Sequence, residues 1–144
     1  MIVLAGLIAV LVVGCADARR YDGSQRIGLD TATRSFGLEL PSCEVQSLGY
    51  AAGGAPAAYL DLSFRAPGEC VDRYLADHQA GPGVPENAPF ARSELTDNAR
   101  WPAYGWENHA GHSYLSYPGF RTSTDQTFRV IVDRTTRTVY LTSD

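Results

Sequence analysis

The sequence predicts an α+β domain, with a small antiparallel sheet of about five strands and one main helix, about 67–79, packed on one of its faces. Two observations carry this. Apolar residues alternate with polar ones over Tyr59–Arg65 and again over Phe128–Asp133 and Thr138–Thr142, the period of half-buried strands. Between these stretches the period lengthens, and Cys70, Val71, Tyr74, Leu75 and His78 fall on a single helical stripe.

The chain begins with an apolar run. Met1–Val13 holds no charged side chain and is too short to cross a bilayer, which takes roughly 20 apolar residues. Its length suits an export signal, in which an apolar core of about 7–15 residues precedes small residues that admit a peptidase. The run ends in Val12-Val13-Gly14-Cys15, and these four positions resemble the lipobox of bacterial lipoproteins, although no Lys or Arg precedes the run. The resemblance implies a diacylglycerol on the Cys15 thiol, with fatty acyl chains of the palmitate kind. It also implies cleavage of a 1–14 signal peptide and a mature chain anchored to the outer face of the cell membrane. It covers about a tenth of the chain and is silent on ligand and reaction.

Residues 15–33 are polar, hold Gly23, Ser24 and Gly28 and show no periodicity, so they read as a flexible tether behind the lipidated cysteine. The globular domain is expected over 34–144. Phe36, Leu38 and Leu40 alternate as a first strand ended by Pro41, and Val45–Tyr50 is a weaker second. Ala51–Pro56, with Gly53-Gly54, is a turn into the strand at Tyr59–Arg65. Pro67 and Glu69 suit a helix start, and Gly81-Pro82-Gly83 stops the helix after Gln79. Gly81–Pro89 reads as a loop and Phe90–Asn98 as a short helix. Trp101–Phe120 is dense in aromatic residues and broken by Pro and Gly, with a short strand at Tyr114–Tyr117. The C-terminus is a hairpin turning within Asp133–Arg137.

Twelve basic residues, all Arg, stand against 16 acidic ones for a net charge of −4, so the clustered positive surface that phosphate backbones require is not expected, and nucleic acid is set aside as a partner. The use of Arg without Lys, with abundant Ala and Gly, fits a GC-rich genome. The whole layout resembles small actinobacterial lipoproteins of unassigned function. With Cys15 acylated, Cys43 and Cys70 remain as a pair for an oxidising compartment, and closing a loop of about 28 residues contributes roughly 3–4 kcal/mol.

Chemistry-bearing patterns are sparse. His109 and His112, three apart beside Glu107, are the weak candidates for a metal pair, but Gly111 between them argues against the helix that would put both on one face. Trp101, Tyr104, Trp106 and Tyr114 are candidates for a groove binding sugar or peptide, with core packing as the competing reading. No Gly-x-Ser-x-Gly elbow or P-loop occurs, and carboxylates such as Glu39, Asp61 and Asp72 read as a solvated face. The resulting expectation is a lipid-anchored extracytoplasmic binding module without cofactor, its partner an envelope protein or glycan. The alternatives are an envelope hydrolase using His109 and His112 with a carboxylate, or an inhibitor or immunity-type partner marked by an exposed apolar patch.

Overall fold

The computed structural model describes residues 18–54, 58–91 and 100–143; the Val12-Val13-Gly14-Cys15 stretch and most of Phe90–Asn98 lie outside these. One seven-stranded sheet organises the chain, in the order β1-β2-β3-β7-β6-β5-β4. The strands are β1 (Arg19–Arg20), β2 (Gln46–Gly53), β3 (Tyr59–Arg65), β4 (Val84–Glu86), β5 (Tyr114–Tyr117), β6 (Phe128–Asp133) and β7 (Thr138–Ser143). All neighbours pair antiparallel except β1, which runs parallel to β2. Among the described residues two α-helices accompany them, α1 (Leu29–Ser35) and α2 (Gly68–Asp77), with a short 3-10 turn at Trp101–Tyr104.

The sheet has seven strands where the sequence suggested about five. The additional ones are the short edges β1 and β4, of two and three residues, too brief to set up an alternation. The strand expected over Phe36–Leu40 does not form. That segment leaves the end of α1, and Phe36 and Leu38 drop side by side into the core as irregular chain, turned by Gly37 at φ 60°. The main helix falls where its stripe put it, with Val71, Tyr74 and Leu75 buried.

Both helices lie on one face of the sheet. Leu60, Leu62 and Phe64 of β3, Val139 and Leu141 of β7, and Val130 and Val132 of β6 meet Ala32 and Phe36 on one flank and Val71, Tyr74 and Leu75 on the other. Each such aliphatic or aromatic side chain contributes roughly 1.5–3 kcal/mol when fully buried. The Cys43–Cys70 disulfide ties the segment entering β2 to the first turn of α2.

The opposite face, expected to meet solvent, is covered as well. Phe90, Trp101, Trp106, Tyr114 and Ile131 form a second core there, with Tyr21, Tyr104 and Tyr140 packed against it. The covering layer includes part of the expected tether. From Arg19 on, the chain is structural: β1 pairs with β2, the Tyr21 ring stacks on Tyr104 with centroids 4.6 Å apart, and its hydroxyl lies 2.6 Å from Ser63 Oγ. Gly49 leaves the space that the Tyr21 ring fills, and a Cβ there would overlap that ring.

A further correction concerns Asp61. It is fully buried beneath this layer, with Oδ1 accepting from Thr142 Oγ1 at 2.6 Å and Oδ2 accepting from both Arg100 Nε and the Tyr104 hydroxyl at 3.1 Å. Burial works against the Arg100 charge, and the Asp61 carboxylate more than offsets it, so the guanidinium is held above its ordinary range. A buried carboxylate persists only with such partners.

Candidate functional site

The four aromatic residues proposed as a groove are brought together, but as packing. Trp101, Trp106 and Tyr114 are 2%, 3% and 3% exposed, so their faces are already occupied by Phe90, Tyr140 and one another. Tyr104 is half-buried, and its hydroxyl is committed to Asp61. The indole N–H of Trp106 donates to the Tyr21 hydroxyl at 3.2 Å.

His109 and His112 do come close, with ring centroids 5.0 Å apart, and His112 Nδ1 lies 2.7 Å from Asp133 Oδ2. The remaining Asp133 oxygen accepts from the backbone N–H groups of Thr135 and Thr136, closing the β6–β7 turn. Burial raises the Asp133 carboxyl, but the His112 and Thr136 hydrogen bonds outweigh it and hold the group below its ordinary value. The arrangement stabilises a turn. Among the described residues no three His, Cys, Asp or Glu side chains converge as a metal set. None of the four clefts described is lined by either histidine.

The histidine that does line a cleft is His78, which the sequence had placed only on the helical stripe. It caps α2 at the C-terminal end, where Gln79 (φ 53°) and Gly81 (φ 72°) turn the chain away. Its Nδ1 lies 2.9 Å from the Tyr74 carbonyl oxygen, and its ring stacks on Phe120 with centroids 4.4 Å apart and planes 9° from parallel. A carbonyl only accepts, so Nδ1 carries the proton and Nε2 is left to accept from, or share a proton with, a ligand. Tyr74 is fixed in turn by donating its hydroxyl to the Glu39 carbonyl oxygen at 2.8 Å. Burial first, and the Glu39 charge second, raise its phenol far above the ordinary tyrosine range.

Around His78 lie two adjoining concavities of about 330 and 130 Å³ that share Glu39, Asp77 and His78. The larger is closed by the 121–126 loop, which brings Arg121 and Asp125, paired to each other at 2.7 Å. That loop is held by hydrogen bonds from Ser123 Oγ to the Gly37 carbonyl and from Thr124 Oγ1 to the Phe36 carbonyl. Arg121 is paired to Asp125 and Arg73 lines the smaller concavity, so Glu39 and Asp77, shared by both, leave a slight acidic excess, which suits a ligand rich in hydrogen-bond donors or carrying positive charge. Among the described residues no Ser, Thr or Cys side chain is hydrogen-bonded to the His78 ring.

The fold and cleft together define a single-sheet α+β domain with a polar cleft at one end of its sheet. No family model matches the chain, and comparison with curated proteins and with solved structures gave no match either. No helix among the described residues is long and apolar enough to cross a membrane.

Proposed function

We propose that this protein is a lipid-anchored extracytoplasmic binding module that takes a hydroxyl- or amine-rich ligand, such as an envelope glycan, in the His78 cleft. The observation that supports the binding role is that His78, its tautomer fixed through Nδ1 so that Nε2 is left as the uncommitted nitrogen, lines both concavities together with Glu39 and Asp77. The anchor and location rest on the apolar run ending in Val12-Val13-Gly14-Cys15. The Cys43–Cys70 bridge supports them, because disulfides of this kind persist in oxidising compartments. The inhibitor or immunity reading asks for an apolar patch, and Val84 is the one exposed large hydrophobic among the described residues.

The test is titration of the full chain with amino-sugar oligosaccharides from the cell wall, followed by the imidazole resonances of His78, His109 and His112. Binding moves His78 and leaves the other two in place, and His78→Ala or Asp77→Asn weakens it at least about tenfold, as expected for loss of a charged or well-aligned hydrogen bond. Unchanged His78 resonances across neutral, amino and acidic oligosaccharides would remove this site from consideration.

A further inference from the structure

The end of the sheet remote from His78 carries the second largely polar feature, a cleft of about 470 Å³ whose charged lining residues are Arg65 and Arg137. Gln46, Thr135 and Thr136 complete its polar wall. Arg65 is the last residue of β3, Arg137 closes the β6–β7 turn at φ 58°, and its carbonyl accepts from the Ala66 N–H at 3.3 Å. Arg134 and Arg137 border a smaller neighbouring cleft of about 190 Å³ with Gly68, the first residue of α2. Asp72 lines that smaller cleft and Glu69 sits in the first helical turn, so acidic residues flank the arginines without entering the larger cleft. The α2 N-terminus has no side-chain cap, and its positive end faces the same pole.

Register gives the direction of β1. β1 is parallel to β2, with Arg19 opposite Gly49 and Arg20 opposite Tyr50, and β2 begins at Gln46 opposite Arg65. Read from Arg20 to Arg19, β1 therefore points toward the Arg65–Arg137 end. Cys15 precedes Arg19 by four residues, which span at most about 14 Å when fully extended. Strands lie about 4.8 Å apart, so the arginines at the ends of β3 and β7 sit about 10–15 Å sideways from β1.

We propose that this arginine pole docks on the membrane, with Arg65 and Arg137 holding the phosphate of an anionic phospholipid headgroup between them. The inference rests on the lipid-anchored reading: an acyl chain on Cys15 brings this end, and not the His78 end, against the bilayer. Charge complementarity selects the occupant, since the cleft presents two guanidinium groups and hydroxyls to a surface of phosphates. The anchor keeps the local headgroup concentration high, so two arginines suffice where a soluble protein would need a longer basic cluster. The His78 cleft, at the other end of α2 and about 20 Å along the sheet, is thereby held facing away from the bilayer.

The test uses the protein purified from its own membrane, with the mass of its N-terminal peptide read first, and then incorporated into vesicles of phosphatidylcholine alone or of a mixture rich in phosphatidylglycerol. Amide hydrogen exchange is compared between the two. Phosphatidylglycerol should slow exchange at 66–70 and 134–138 and leave 120–126 unchanged. The double variant Arg65→Gln/Arg137→Gln should lose that difference, at about fivefold in the docked-to-free ratio per arginine, whereas Arg26→Gln/Arg34→Gln should keep it. A diacylated Cys15 with no headgroup-dependent protection overturns the docking proposal and leaves the anchor standing. An unmodified Cys15 overturns the anchor and the docking with it. Equal protection from inorganic phosphate without vesicles would reassign the cleft to a soluble anion and overturn the membrane contact.

Discussion

The Nδ1 of His112 lies 2.7 Å from the Oδ2 of Asp133, and the other oxygen of that buried carboxylate holds the backbone of the β6–β7 turn through Thr135 and Thr136. Asp133 is held below its ordinary value of 3.8, so folding favours its ionised form. The stabilisation is complete above that value and is lost as the pH falls through the lower folded value. His112→Ala should therefore shift acid unfolding to higher pH and cost about 1–2 kcal/mol near neutrality, less than a fully buried charged pair because the His112 side chain is 24% exposed. Acid titration followed by circular dichroism checks both.

At the alkaline side three tyrosines act in concert. Burial raises the phenols of Tyr74 and Tyr104, reinforced by Glu39 and Asp61 respectively, and pushes Tyr140 up to about 12. Each has a folded value above the ordinary 10.0, so stability is intact below pH 10 and falls as the pH rises from there. Ultraviolet titration should show these phenols ionising together with unfolding. Tyr140→Phe should flatten the alkaline slope.

Gly49→Ala is expected to destabilise by about 1–3 kcal/mol, because the new methyl group enters the space of the Tyr21 ring and forces it off Ser63 and Tyr104. The Trp106 indole loses its acceptor at the same time. A red-shifted tryptophan emission accompanying the lower denaturation midpoint would report both events, and Tyr21→Phe should show a smaller version of each.

Asp61→Ala removes the shared acceptor of Thr142, Tyr104 and Arg100. The cost should be about 2–3 kcal/mol, tempered because the Arg100 side chain is 41% exposed and regains water. Urea denaturation with an unchanged m-value would confirm a local loss in an otherwise intact fold.

Replacing both Cys43 and Cys70 by Ser should lower stability by about 3–4 kcal/mol, the value for a cross-link spanning 27 residues. The melting temperature of the parent chain in the presence of a thiol reductant should fall to that of the variant.

Which of these features the sequence disclosed depends on how local their cause is. β3, α2, and the β6–β7 hairpin each carry their own period, and the cysteine pair was expected because the third cysteine, Cys15, lies in the stretch that resembles a lipobox. α1 was hidden because it is seven residues long, rich in Thr, without a side-chain cap, and buries only Ala32 and Thr33; the Phe36-Leu38-Leu40 alternation beyond it gave a stronger but misleading signal. Asp61 and Ser63 followed the rule that the polar side of a strand meets water, and the rule failed because Tyr21, 42 positions before Ser63, and Tyr104, 43 positions after Asp61, form a second layer over them. The density of aromatic residues from Trp101 to Tyr117 was the one available hint that such a layer existed. His78 gave no hint, since its role comes from capping a helix against Phe120 and from loops that converge only in three dimensions.

The two margins of the sheet bear on what happens when like molecules meet. β1 offers two residues and β4 three, the middle one being Pro85, which has no N–H to give. Among the described residues neither margin provides a run of donors and acceptors long enough for another copy to zip onto, so copies that meet edge to edge are guarded against growing into cross-β ribbons.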